Sequence, residues 1–550
     1  MPLALGIILC GGIGWAIVSM ASRIEASPAR VLLKGFLSAG FGLGAFSVLL
    51  VLFRSFGGHS LLAIDAVLFL LLLIGLFLIR RRAKTGKVLL SEDLLLPQWL
   101  RHVLGAAFAL SLSAALYGAV RRVIALPHGE GWDAFAIWNL HARFLFRGGP
   151  AWRDGFSSLI PWSHPDYPLL IPGAIAHFWT LVGSESQVVP AVIGLVFTIS
   201  TVGLLFSGLR ILRGLNVAVL GSMALIATPA FIEQGTSQYA DVPLSFFLLA
   251  TVVLVCFDEA VVSESSGAKG LLGLAGLALS FGAWVKNEGL LFLLAVVVGW
   301  IVVTIADRRR NQTAATKKPH GRAEAEALKG AIVSGEVTAQ RKSDPSEGHE
   351  TQGLSGTGEA LLFETMAAEP PARPRGSWIA PLLLAALPAL AVVMWFKHFV
   401  APPGDLFGSA ASMLGKVLSE NRYGAVARWF LKQFFRFGHW LWIPGTVLVL
   451  GLDLVLGRVA APTENALAGL RRGRHDIGAT SGFRTSVAAI LITLAGYFLI
   501  YVITPYDVYW HLRFSLNRLF LQLWPSVIFL CFLRLRARRS TTTECQITSK

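Results

Sequence analysis

The chain has little charge. Only 15% of its 550 residues are Asp, Glu, Lys or Arg, against about 25% in a soluble globular protein. It is also poor in cysteine. There are four, of which Cys10, Cys256 and Cys531 lie in apolar runs and Cys545 in the polar tail. None has metal-ligand spacing and no disulfide framework is indicated. No Rossmann fingerprint or soluble domain follows any apolar run, and no internal repeat is visible. "GFGLG" at 40–44 lies inside an apolar run, so it reads as a helix-packing face rather than a phosphate loop. No Lys or Arg precedes the first apolar run, "LALGIILCGGIGWAIVSMA". A cleavable signal peptide has a basic amino-terminal region, so this run reads as a retained span. The apolar runs do not alternate with period two, which excludes a transmembrane barrel.

What remains is apolar helix. Hydrophobic residues make up 54% of the chain, and mean hydropathy is +0.63. A template of about twenty residues fits roughly thirteen runs: 3–21, 31–53, 61–79, 102–126, 187–208, 215–231, 240–257, 268–285, 288–306, 378–400, 432–456, 485–503 and 518–534. The expected fold is an all-α polytopic membrane protein. The formal charge of +16 does not signal nucleic acid, because Lys and Arg cluster in short loops beside the spans, as the positive-inside rule requires.

Those basic loops set the orientation. "RRRAK" at 80–84, "RILR" at 210–213, "DRRRNQTAATKK" at 307–318, "RRGRH" at 471–475 and "RLRARR" at 534–539 belong on the cytoplasmic side. They agree only if 168–183 does not cross. Pro168, Pro172 and His177 make it a poor span, so it reads as a helix lying in, or dipping into, the outer interface where protein covers its backbone. The protein is then a multi-pass cell-membrane protein with its amino terminus outside and its carboxyl terminus in the cytoplasm. The segment 1–97 holds additional amino-terminal helices, and 98–306 forms a core with a large outer loop at 127–186. Then come a disordered cytoplasmic linker at 307–376, further membrane helices at 377–535 and a tail at 536–550.

Charges at membrane level are costly, and so mark candidate sites. In "GWDAFAIWNLHARF", positions 134, 137, 138, 141 and 145 share one face of a helix that starts at Asp133. Asp133 serves there as a helix cap or as a general base facing a lipid-delivered substrate. "HPDYPLLIP" follows, with prolines that fix the backbone. It is a rigid surface loop, or a rim that turns His164 and Asp166 toward the cavity of Asp133. In "EQGTSQYAD" at 233–241, Glu233 and Asp241 bracket a short outer loop, and Asp241 stands at a helix start. Lys286 and Glu288 flank a tight turn, which reads as a solvated hairpin or as part of the site. In "TPYDVYWHLRFSLNR", His511, Arg513 and Arg518 stand among aromatics. They form an interface belt or a clamp for phosphate.

The order of these loops resembles the GT-C membrane glycosyltransferases, and more narrowly the bacterial relatives of the protein O-mannosyltransferases and of the lipid A aminoarabinose transferases. An acid follows the first core span, at Asp133. "HPDYPLLIPGAIAHFW" is similar to the family's proline-rich interfacial helix. "TPAFIEQGTSQYADVPLSFFLLA" and "WVKNEGLLF" are similar to its next two outer loops. Many members have two adjacent acids in the first loop, whereas here Ala134 follows Asp133.

The resemblance implies a glycosyltransferase that moves a hexosyl or pentosyl group from a polyprenyl-phosphate donor. Transfer to a lipid, glycan or protein acceptor would occur on the outer face, with inversion. Asp133 would be the base. Asp241, Glu233, His164 and Asp166 would orient the acceptor or hold a divalent ion such as Mg or Mn, although no spacing demands a metal. Lys286, His511, Arg513 and Arg518 would bind the donor phosphate. A transporter, or a polymerase or ligase of surface polysaccharide, is the alternative.

Overall fold

The structure, a computed structural model, describes residues 2–21, 27–57, 60–80, 87–88, 96–262, 266–316, 379–404, 410–437 and 480–534. Among the described residues, nine helices are long and apolar enough to cross a membrane, or ten if one bent pair counts as a single span. The nine are α1 (Pro2–Ala21), α2 (Pro28–Phe56), α3 (Leu61–Arg80), α4 (Gln98–Ala125), α8 (Val188–Leu212), α13 (Asn287–Thr316), α14 (Ile379–Phe399), α17 (Ser481–Ile503) and α18 (Val508–Arg534). Each corresponds to a run expected from the sequence.

The other four expected spans fare differently. The run at 215–231 breaks into α9 (Leu215–Ile226) and α10 (Pro229–Thr236), bent by 67°. Pro229 is the cause, since the residue before a proline leaves the helical region; Thr228 has extended dihedrals. The helices α11 (Asp241–Ala260) and α12 (Ser266–Val285) form as expected, with apolar stretches at Asp241–Phe257 and Gly270–Val285 that are shorter than the nine. Most of the expected span 432–456 lies outside the described residues, as do the expected linker from 317 onward and the tail at 536–550. Contacts divide the chain into a main unit, Met1–Trp300 with Trp378–Lys550, and a second unit, Ile301–Ser377. The second is described only as helix, as far as Thr316.

Between α4 and α8 the chain builds a compact cap. Gly131–Asp133 (α5) runs through a single π-helical turn, Ala134–Trp138, into α6 (Asn139–Arg147). Ala134, Ile137, Trp138, His141 and Leu145 are all buried, as the spacing predicts. The π turn is closed by the Asn139 N–H, which donates to the Ala134 carbonyl. The extra residue rotates Asp133 relative to the packed face, a distortion that recurs at functional sites. The helix α7 (Leu170–Val182) has 13 residues, about 20 Å at 1.5 Å per residue, which is short of a hydrocarbon core of about 30 Å. Its length speaks against a crossing, and Leu170 to Trp179 are buried inside protein rather than lying on the surface.

The amino-terminal helices are packed into the main unit. "GFGLG" is a packing face: a Cβ on Gly42 would lie 2.2 Å from the Cys10 carbonyl oxygen, and one on Gly14 would lie 1.9 Å from that of Ser38. Only glycine allows α1 and α2 so close. From α2, the Ser47 hydroxyl donates to the Leu169 carbonyl at 2.8 Å and accepts from the Trp284 indole at 3.0 Å. His177 of α7 bonds the Phe46 carbonyl through Nδ1 at 2.8 Å and Asp65 of α3 through Nε2 at 2.9 Å. A carbonyl only accepts, so Nδ1 carries a proton. These buried bonds fix the segment that carries Asp166 and Tyr167.

Candidate active site

Four segments far apart in sequence bring five charged residues to one place. Asp133 comes from α5, Asp241 from the first residue of α11, Lys286 from the break between α12 and α13, Glu288 from the first turn of α13, and Arg518 from α18. Arg518 is the bridge. Its Nη1 donates to Asp133 Oδ2 at 2.7 Å and its Nε to Asp241 Oδ2 at 2.8 Å. Lys286 Nζ donates to Asp241 Oδ1 at 3.0 Å and lies 2.9 Å from Glu288 Oε1. Gln522, one helical turn beyond Arg518, donates to Asp241 Oδ1 at 2.7 Å. The Tyr497 hydroxyl of α17 donates to Gln522 Oε1 at 2.7 Å, which fixes the amide's orientation.

Asp241 is the hub. It is fully buried, and both its oxygens are held by donors. A buried carboxylate persists only with such compensation. Three carboxylates and two cations share the network, leaving one net negative charge. Asp133 is different. Its side chain is 22% exposed, and among the described residues its second oxygen has no hydrogen-bond partner. It is the carboxylate of the network best placed to meet something from outside.

Aromatic rings frame the cations. The Arg518 guanidinium lies 4.7 Å from the Tyr239 ring centroid and the Lys286 ammonium 5.7 Å from that of Tyr167. Tyr167 in turn stacks between Trp138, at 5.6 Å, and His164, at 4.8 Å. Burial and then the field of Asp133 push the Tyr239 hydroxyl up to about 12, so it stays protonated. Burial disfavours the Lys286 charge, but Asp241 and Glu288 outweigh it and raise the ammonium above its ordinary value. Lys286 is a buried cation, and the solvated-hairpin reading of this turn does not hold.

The other expected site residues lie at varying distances from this network. Asp166 is buried and accepts from Asn287 at 2.8 Å, and both its carbonyl and its carboxylate accept from Lys397 of α14. It is thus joined to the network through the Asn287 turn. His164 takes a left-handed conformation, φ 49°, and reaches the site as a ring stacked on Tyr167. Glu233 offers its backbone carbonyl to Ser237 and Thr236. His511 turns to Thr504 Oγ1 at 2.9 Å and to the rings of Tyr501 and Tyr506. Arg513 is exposed, with its guanidinium against Phe514. Among the described residues, Arg513 makes no bond to the network. Among the described residues, no group of three or more His, Cys, Asp and Glu side chains is arranged to hold a metal ion. Asp241, with two cations and an amide on its oxygens, does not fit a divalent ion.

Sequence reasoning missed Gln522, Tyr497, Tyr239, Tyr167, Asn287 and Lys397. Gln522 had a signal: two polar residues four apart in an apolar span share a face.

One comparison with known proteins finds a match. Residues 164–329 match the family model described as dolichyl-phosphate-mannose-protein mannosyltransferase. The match covers under a third of the chain and supports a membrane glycosyltransferase of the GT-C type, and the nine long apolar helices among the described residues agree with a multi-pass membrane protein. The matched stretch contains Asp166, Asp241, Lys286 and Glu288, while Asp133 and Arg518 lie on either side of it. No curated protein and no solved structure matches the chain.

Proposed function

We propose that the protein transfers a sugar from a polyprenyl-phosphate carrier to an acceptor hydroxyl on the outer face of the membrane, with inversion, and that Asp133 is the general base. The observation that carries this reading is the bridge of Arg518 to Asp133 and Asp241. It sets one partly exposed carboxylate beside two cations with donors to spare. Arg518 commits two of its five N–H groups to these carboxylates and Lys286 two of its three. The remaining donors suit a phosphate oxygen.

The step balances simply. Asp133 takes the proton of the acceptor hydroxyl. The oxygen attacks the anomeric carbon from the face opposite the phosphate, the bond from that carbon to the phosphate oxygen breaks, and polyprenyl phosphate leaves with the electron pair. Its new negative charge is met by Arg518 and Lys286. A good leaving group needs no general acid, so a single carboxylate suffices where a glycoside hydrolase uses two. Asp241 holds the two cations in place, and Asp166, through Asn287, orders the turn that carries Lys286.

The test uses purified wild-type protein in lipid, supplied with polyprenyl-phosphate sugars and cell-envelope extract. Release of polyprenyl phosphate, with a product whose anomeric configuration by NMR is opposite to the donor's, is expected. Retained configuration would remove the single displacement. No release from any donor by folded protein would shift the reading to the transporter.

A further inference from the structure

The helices α15 (Ala410–Val417) and α16 (Glu420–Arg436) follow α14. α16 lies along the α17–α18 hairpin. Arg422 donates to the Thr504 carbonyl at 3.2 Å, Gln433 donates to Asn517 at 2.9 Å, and Phe437, just past the helix end, meets Trp524 with ring centroids 5.5 Å apart. Phe430 packs into Phe498, Tyr501 and Phe520. The carboxyl-terminal half of α16 therefore sits at the level of Arg518, the residue next to Asn517.

The outward face of α16 is divided lengthwise. Arg428, Lys432 and Arg436 recur every four residues, so they form one stripe, and all three are exposed. Among the described residues none of them has an ion-pair partner; Lys432 lies over the Trp429 ring at 4.8 Å. Beside them Leu431, Phe434 and Phe435 are 61%, 44% and 55% exposed. A helix with buried, cationic and bare apolar stripes is not built for water alone. Its charge and greasiness together match one kind of molecule, a lipid whose phosphate meets the cations while its chain lies on the apolar flank.

We infer that the outward face of α16 receives the phosphate headgroup of a lipid beside the Arg518 network. Naming that lipid as the polyprenyl-phosphate carrier rests on the proposed function. Arg428, Lys432 and Arg436 would then hold the phosphate before it passes to Arg518 and Lys286. They act on capture of the donor and take no part in breaking its bond.

The test measures binding, not turnover. Full-length protein in nanodiscs of zwitterionic lipid is titrated with a polyprenyl monophosphate, with neutral polyprenol and with phosphatidylglycerol, in the wild type and in the combined Arg428→Gln, Lys432→Gln, Arg436→Gln variant. At about fivefold per cation the variant should bind the polyprenyl monophosphate roughly a hundredfold more weakly at low salt, with polyprenol unaffected. The Arg428→Lys, Arg436→Lys variant should keep most of the affinity, and all forms should share one melting temperature. In transfer assays the Gln variant should raise KM for the donor and leave kcat unchanged. Unchanged affinity in the Gln variant would overturn the inference. Equal displacement of the polyprenyl phosphate by phosphatidylglycerol would overturn its donor clause and mark the face as a phospholipid site. If binding is lost in the variant but no transfer is seen from any donor, the proposed function fails and the inference stands.

Discussion

Arg518 donates to Asp133 Oδ2 at 2.7 Å across 385 residues of chain. No local interaction brings these two together; the whole helical bundle does. The bond places the most exposed carboxylate of the network against a guanidinium that is itself held by the buried Asp241 at 2.8 Å. The arrangement is rigid on the buried side and open on the Asp133 side, which is what a base needs in order to meet an acceptor in a fixed position.

Replacing Arg518 separates its two roles. Arg518→Met strips Asp241 of one cation and leaves Asp133 facing it uncompensated. Breaking a buried pair in this way costs about 3–5 kcal/mol, so the melting temperature in detergent should fall sharply. Arg518→Lys keeps the charge but cannot reach both carboxylates from one planar group. It should fold with a smaller loss of stability and still transfer poorly.

Gln522→Leu is the milder probe of the same hub. It removes the 2.7 Å bond to Asp241 and leaves the Tyr497 hydroxyl without its acceptor. An unsatisfied buried group costs about 1–3 kcal/mol. The double variant Gln522→Leu with Tyr497→Phe should recover part of that loss in a thermal-unfolding cycle, because it removes the stranded donor.

The fold should lose stability in mild acid through His141. It is fully buried, its Nε2 lies 3.4 Å from Ser163 Oγ, and burial and then nearby His164 press it from 6.5 down to about 3. The folded state therefore keeps the imidazole neutral while the unfolded chain takes up a proton. The stabilisation is full above pH 6.5 and is lost as the pH falls toward 3, at about 1.4 kcal/mol per pH unit. The pH dependence of the melting temperature should flatten in His141→Gln. An equal slope in both proteins would show that His141 does not contribute.

Gly42→Val should disturb a region remote from the charges. Its Cβ would press on the Cys10 carbonyl oxygen at 2.2 Å, forcing α1 from α2. Since α2 holds the Leu169 carbonyl through Ser47, transfer activity should fall along with the melting temperature.

Much of this was legible in the sequence. The nine spans are continuous apolar runs, and length alone marks them. The buried face of the 131–147 segment followed from its spacing. Asp133, Asp241, Lys286 and Arg518 stood out because charge beside a span is costly. Arg513 did not join them for a geometric reason. It is five residues before Arg518, about 140° around the helix. The 67° break before α10 was signalled by Pro229 but hidden in an apolar run. Tyr497 and Lys397 were hidden because a phenol or a helix-end lysine takes its meaning from partners far off in sequence.

The central claim is that Asp133 removes the acceptor proton. The most direct measurement compares single-turnover release of polyprenyl phosphate by the wild type and Asp133→Asn, with donor binding measured in the same samples. The amide keeps the size of the side chain and one oxygen that can accept from Arg518, but it takes up no proton. A fall of roughly 10²–10⁴-fold in rate, with donor affinity retained, is the expected result. A rate within a few-fold of the wild type would contradict the claim and take the base away from Asp133.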